Sequence, residues 1–117
     1  MRRGELYRVA RPPGDPRPYR SFAIVSRQAL IDSQFSTVVC APVYTTGQGL
    51  STQVAVGPGE GLKHDSWFMC DNLTSVRKKD LTQYVGQLSE AKLGELNQAL
   101  RSAFELPDFL ADKYLDA

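Results

Sequence analysis

The chain has 117 residues, 42% hydrophobic and 23% charged, with a formal net charge of +1, which suits one domain with a real hydrophobic core. No apolar run approaches the roughly 18 residues of a membrane span, and Met1-Arg2-Arg3-Gly4-Glu5 has no apolar stretch behind it; the expectation is a cytoplasmic protein without a secretory signal or membrane contact. With two cysteines, Cys40 and Cys70, and His64 as the one histidine, a Cys/His zinc site is disfavoured and buried, reduced thiols are expected.

In chain order, Gly4 to Ala10 alternates polar and apolar residues, which predicts a strand with one buried face. Arg11 to Tyr19 holds four prolines and a glycine and must be a loop. Phe22-Ala23-Ile24-Val25 reads as a strand buried on both faces, and Ala29 to Gln34 as a single helical turn. Thr37 to Val43 is β-rich, with Pro42 predicting an edge position or a bulge. A polar turn over Thr45–Gly49 leads to a strand at Thr52–Val56, which Gly57-Pro58-Gly59-Glu60-Gly61 ends. Ser66–Cys70, with Trp67 in the core or an interface, and Tyr84–Leu88 are further strands.

Ser89 is placed to cap a helix, with Glu90 at its positive end. Leu93, Leu96, Leu100 and Phe104 form its apolar stripe, and Pro107 stops it. Asp108–Ala117 could form another short helix. The expected architecture is a single, mainly β domain with α: a small barrel over about residues 4–88, a C-terminal amphipathic helix over about 89–105, and a tail at 107–117.

The charge is unevenly spread. Residues 1–27 carry seven arginines (2, 3, 8, 11, 17, 20 and 27) against Glu5 and Asp15, whereas residues 89–117 carry six acids against three bases. A basic front half is the electrostatic footprint a polyanion would seek.

Several segments, in order, resemble the MazF/PemK family of toxins. Gly4-Glu5-Leu6-Tyr7 is similar to its opening strand, and Gly14-Asp15 through Tyr19, then Arg20-Ser21-Phe22-Ala23-Ile24-Val25-Ser26, to its loop and arginine-led strand. Val38-Val39-Cys40-Ala41-Pro42-Val43-Tyr44-Thr45-Thr46-Gly47-Gln48 looks like its strand and Thr/Ser turn. Asp65 through Asp71-Asn72 matches a strand ending in an acid-amide pair; Leu81, Gly86-Gln87-Leu88-Ser89 and the leucine stripe complete the order. The chain departs from the pattern with Arg20-Ser21 in place of Arg-Pro, Asp15-Pro16 in place of a Glu-Gln pair, Tyr44 inserted before Thr45-Thr46, and Asp71-Asn72 in place of an acid-glutamine pair.

The resemblance implies an SH3-like barrel of the PemK/CcdB type and a cofactor-free, metal-independent endoribonuclease that cuts single-stranded RNA. It further implies a homodimer and a cognate antitoxin whose acidic, disordered segment occupies the RNA groove. In such a reaction the substrate's own 2′-hydroxyl attacks phosphorus and leaves a 2′,3′-cyclic phosphate. Arginine suits the charge that develops there, because its planar fork pairs with two phosphate oxygens and stays charged. Arg20 is the first candidate for that role, with Thr46 or Thr45 supplying a hydroxyl to the phosphate or the 2′-oxygen. For proton transfer the candidates are His64, Asp15 and Asp71; Asp71, beside Asn72, is expected to hydrogen-bond a base edge or buttress Arg20 rather than to shuttle protons. RNA contacts are expected from Asp15, Arg17, Tyr19, Gln48, Ser66, Asn72 and His64, with Arg11, Lys63 and Arg77-Lys78-Lys79 extending the cationic track.

Two other readings stand beside it. A CcdB-like toxin would bind DNA gyrase on the same fold, although the arginine-led loop and threonine turn speak against it. A non-catalytic member would keep the fold as a regulatory module.

Overall fold

The computed structural model describes residues 1–107. Seven strands, β1 (Glu5–Ala10), β2 (Tyr19–Ile24), β3 (Thr37–Tyr44), β4 (Gln53–Val56), β5 (Ser66–Met69), β6 (Thr74–Arg77) and β7 (Gln83–Gln87), are joined by one α-helical turn, α1 (Gln28–Ile31), and short 3₁₀ turns at Pro58–Glu60, Cys70–Asn72 and Lys78–Asp80, and are followed by a helix, α2 (Glu90–Ala103). All pairings are antiparallel, in the order β4-β5-β3-β2-β1-β7 with β6 beside β3. The expected barrel takes the form of a curled half-barrel whose two ends, β4 and β7, are sheet edges.

β3 is the hub. One side pairs with β2 throughout Cys40–Pro42; the other pairs with β6 at Thr37–Cys40 and with β5 at Val43–Tyr44. Pro42 falls in the gap where β3 changes partner, so its missing N–H removes no bond from either ladder. The edge or bulge expected for it is therefore replaced by a central strand that forks. β6 carries no sequence signal, because Val76 is its only buried side chain.

Forking and curling bury both faces of the central strands. Leu6, Ala23, Ala41 and Val43 point into a core with Val54, Val56, Phe68, Leu88, Leu96 and Ala99. Tyr7, Ile24, Val38 and Cys40 point the other way, into a second cluster with Ile31, Val76 and Leu81. The single buried face expected of β1 is thus corrected: Leu6 and its neighbour Tyr7 are both buried, on opposite faces.

Helix α2 starts where Ser89 Oγ accepts the Lys92 N–H at 3.2 Å. It covers the open side of the half-barrel over β4, burying Leu96 and Ala99 against Val54 and Val56. Lys92 Nζ donates to the Ala55 carbonyl at 2.6 Å, tying the helix to the edge strand. The helix ends at Ala103, before Pro107, with Glu105 in the left-handed region at φ 53°. Phe104 consequently drops out of the expected apolar stripe and is exposed. The short helix expected over 108–117 lies outside the described residues. Among the described residues no helix is long and apolar enough to cross a membrane.

Candidate functional site

Asp15 folds the proline-rich loop onto itself. One carboxylate oxygen accepts the Arg17 N–H at 2.9 Å and the other pairs with Arg11 at 2.8 Å, while the Arg11 N–H closes the loop on the Pro18 carbonyl at 2.8 Å. Tyr19 and Arg20 leave this loop as the first residues of β2.

The β2–β3 register pairs Phe22 with Pro42; two residues further on it sets Arg20 opposite Tyr44, as a cross-strand neighbour. The contact follows. The Arg20 guanidinium carbon lies 4.1 Å from the centre of the Tyr44 ring, and Nη1 donates to the Val43 carbonyl at 2.8 Å. Burial pulls the Arg20 pKa below the ordinary arginine value; Arg11 and Arg17 act in the same direction, and Tyr44 and Asp15 oppose them. A guanidinium nonetheless remains a cation at neutral pH. Among the described residues it forms no ion pair with a carboxylate, so its charge is held in place by a ring and a carbonyl.

Arg20 borders a cleft of about 420 Å³. The walls gather the cations Arg8, Arg17 and Lys63, the residues Tyr19 and Tyr84, the hydroxyl-bearing Ser21, Thr45 and Ser66, and His64. No carboxylate lines it, and His64 brings an imidazole to its wall. Arg8 reaches across the opening: its guanidinium carbon is 5.1 Å from the Tyr19 ring centre and Nη2 donates to Gln83 Oε1 at 3.3 Å.

Two glycines let the far wall close. At Gly61, with φ 97°, and at Gly86, an added Cβ would run into the backbone carbonyls of Val85 and Glu60 respectively. That close approach lays the Gly57–Gly61 turn on β7 and carries Leu62, Lys63 and His64 into the cleft. A register shift between Leu6 and Tyr7 leaves Val85 without a partner on β1, and both Tyr84 and Val85 then line the cleft.

Of the residues singled out from the sequence, the cleft brings together Arg17, Tyr19, Arg20, Thr45, Lys63, His64 and Ser66. Ser66 is buried, with its hydroxyl donating to the His64 carbonyl at 2.9 Å. Thr46, Gln48, Asp15, Asp71 and Asn72 do not line it. Thr46 and Gln48 sit on an exposed turn, where the Gln48 N–H donates to Gln53 Oε1 at 2.9 Å. Asp71 accepts the Thr52 hydroxyl at 2.7 Å rather than buttressing Arg20. Asn72 is exposed, its carbonyl accepting the Thr74 hydroxyl at 3.0 Å.

The Arg77-Lys78-Lys79 run belongs to a different groove, beside Phe35. Its middle member is structural, with Lys78 Nζ donating to the Leu30 and Ser33 carbonyls at 2.9 and 2.7 Å. Trp67 is half-buried under Gly47, leaving no room there for a Cβ. Cys40 and Cys70 are buried free thiols, and burial pushes them up to about 12 and about 11. Among the described residues no three His, Cys, Asp or Glu side chains converge as metal ligands would.

Sequence reasoning missed Arg8, Ser21 and Tyr84 as parts of the cleft and Tyr44 as the seat of Arg20. Arg8 had a signal, since it occupies a polar position in the β1 alternation; the other three depend on register and a bulge.

The profile of the family described as PemK-like, MazF-like toxin of type II toxin–antitoxin systems matches residues 2–104. Endoribonuclease MazF3 of Mycobacterium tuberculosis is 32% identical over 87 residues, covering 74% of this chain and 84% of the relative. Endoribonuclease MazF4 of the same species is 30% identical over 105 residues, covering 90% and 93%. Among solved structures, a mycobacterial endoribonuclease in complex with its cognate antitoxin superposes with a TM-score of 0.79 at 30% identity, over 92% of this chain and 98% of that one.

Proposed function

The chain belongs to the PemK-like, MazF-like family of toxins of type II toxin–antitoxin systems, and from that premise we propose that it is an endoribonuclease cutting single-stranded RNA at the Arg20 cleft. The observation that carries this reading is the seat of Arg20: a guanidinium clamped by the Val43 carbonyl and the Tyr44 ring, beside a cleft with cationic walls and no carboxylate. A polyanion is drawn to such a cleft, and a fixed cation acts on charge as it develops on phosphorus without first having to reorganise.

The ribose 2′-oxygen bonds to phosphorus, the bond to the 5′-oxygen of the next nucleotide breaks, and a 2′,3′-cyclic phosphate remains. Arg20 holds the non-bridging oxygens. Thr45, the member of the threonine pair that faces the cleft, takes an oxygen or orients the 2′-hydroxyl. We assign to His64, a lining residue of the cleft, the transfer of the proton between the 2′-hydroxyl and the leaving 5′-oxygen. The cationic walls also suit the acidic segment of an antitoxin, the kind of partner with which the mycobacterial neighbour was solved, and a homodimer would present two such clefts.

The test is a long single-stranded RNA incubated with the protein in EDTA, with all new ends mapped. Discrete cuts ending in 2′,3′-cyclic phosphate are expected. Arg20→Ala should fold normally and lose about 10²–10³-fold in kcat, the scale of removing one preorganised donor. Absence of cutting by the folded wild type would overturn the reading in favour of a gyrase-binding or regulatory toxin.

A further inference from the structure

We propose that a second hollow, beside the cleft and sharing Arg20 with it, binds the base of the nucleotide on the 3′ side of the scissile phosphate, so that Arg20 stands between two nucleoside sites. The proposal rests on the ribonuclease reading and adds a substrate contact that the reaction itself does not use.

The hollow has a volume of about 270 Å³, and Val9, Phe22, Pro42 and Tyr44 line it together with Arg11, Arg20 and Thr74. No carboxylate lines it. Strand register explains the grouping. Val9 pairs with Arg20 and Phe22 with Pro42, and Tyr44 follows two residues after Pro42, so all five side chains leave the sheet on one face. Val9 and Phe22 pack there against the second buried cluster. Their alternate neighbours Arg8, Ser21 and Val43 line the cleft instead.

Arg20 is the one residue common to the two linings. β2 and β3 pair only as far as Phe22 and Pro42, after which Val43 and Tyr44 pair with β5. The Arg20 guanidinium sits where the two strands part, bonded to the Val43 carbonyl at 2.8 Å and 4.1 Å from the centre of the Tyr44 ring. A phosphate held on this cation joins two nucleosides, and the parting of the strands gives each its own side of the sheet. Thr45 and His64 line the cleft, so the nucleotide whose 2′-hydroxyl attacks lies there. The nucleotide that leaves with the 5′-oxygen lies in the hollow. Its base suits the lining, a flat body against mostly apolar walls, tethered to an anion that a cation holds at the edge. The Tyr44 ring already carries Arg20, which leaves Val9, Phe22 and Pro42 as the wall for the base. The remaining polar side chains are engaged as well, Arg11 with Asp15 at 2.8 Å and the Thr74 hydroxyl with the Asn72 carbonyl at 3.0 Å. The hollow therefore selects for the presence and size of a base rather than for its hydrogen-bonding edge.

The experiment measures binding of a short RNA spanning a mapped cut, with a 2′-deoxy sugar at the nucleotide 5′ of the cut so that it is not cleaved. A second set of such RNAs lacks one base at a time. For the wild type, the abasic position just 3′ of the cut should weaken binding about 5- to 100-fold, the scale of one lost base contact. Thr74→Trp, which adds a ring at an exposed residue of the lining, should weaken the intact RNA to a similar degree and lose nothing further at that abasic position. Val9→Ala, which removes part of the wall from within, should show a smaller loss confined to RNAs that carry that base. Ser75→Trp, the same ring on the exposed next residue of β6, should bind like the wild type, as should Phe35→Ala in the separate groove beside Arg77. Wild-type affinity in Thr74→Trp, or a 3′ abasic penalty that is missing in the wild type or undiminished in Thr74→Trp, overturns the subsite while the ribonuclease reading stands. A changed oligomeric state in Thr74→Trp, read by sedimentation, with the abasic profile unaltered also overturns it, because the hollow is then a contact between copies of this chain. A wild type that neither binds nor cuts RNA overturns both.

Discussion

In the proposed reaction Arg20 would act by being held, and the ring that holds it belongs to Tyr44, which the sequence presents only as an extra residue ahead of a threonine turn. Laying a partly desolvated guanidinium on an aromatic face is worth about 1–2 kcal/mol. Losing it would let the fork swing about the Val43 carbonyl bond. Tyr44→Ala should therefore lower kcat by about 5- to 30-fold, by the conversion of 1.4 kcal/mol per tenfold, and leave KM nearly unchanged. Tyr44→Phe keeps the face and should restore the rate. Steady-state kinetics on a defined RNA checks this, and an equal loss in both variants would transfer the role from the ring to its hydroxyl. Arg20 was singled out by the family resemblance, as the arginine that leads an apolar strand out of the proline-rich loop, and it borders the cleft. Its partner was not, because a cross-strand contact depends on a register that no local pattern encodes. The same limit explains why Asp71 could be read as a buttress of Arg20 when its carboxylate accepts the Thr52 hydroxyl instead.

Between elements, the cleft depends on how closely the Gly57–Gly61 turn approaches β7. A Cβ at Gly86 would meet the Glu60 carbonyl, which is backbone and cannot rotate away. Gly86→Ala should therefore push the turn outward at a cost of about 1–3 kcal/mol, lowering Tm by several degrees for a domain of this size. Because the same turn carries Leu62, Lys63 and His64 into the cleft, KM for RNA should rise as well. Thermal melting and kinetics on the one variant check both, and an unchanged Tm would mean that the turn moves freely. The elements themselves were largely legible wherever burial left a pattern. β1, β2, β3, β5, β7 and the capped helix stand where alternation, prolines and leucine spacing place them. β6 escaped because one buried valine makes no pattern. Pro42 misled because the proline rule assumes a strand with the same partner throughout, and β3 changes partner at that residue.

At the scale of the whole molecule, burying both faces of the central sheet traps ionisable groups that must stay protonated for the fold to hold. Burial pushes the Cys40 thiol from 9.0 up to about 12. It also pushes Cys70 to about 11, with Asp71 adding to the effect, and Tyr7 from 10.0 to about 12, with Glu5 adding. In each case the folded state binds the proton more tightly than the unfolded chain. Their contribution to stability is thus complete below the unfolded values. It is lost progressively as pH rises from about 9 toward the folded values. Each group titrating in that window contributes a slope of about 1.4 kcal/mol per pH unit. Urea midpoints measured under reducing conditions should accordingly be level from pH 7.5 to about 8.5 and fall with increasing steepness to pH 10.5. Cys40→Ala should start from a lower midpoint because it leaves a small void, but its decline above pH 9 should be shallower than the wild type's. A midpoint that stays flat to pH 10.5, or a variant that declines in parallel with the wild type, would show that the Cys40 thiol is not held protonated by the second cluster.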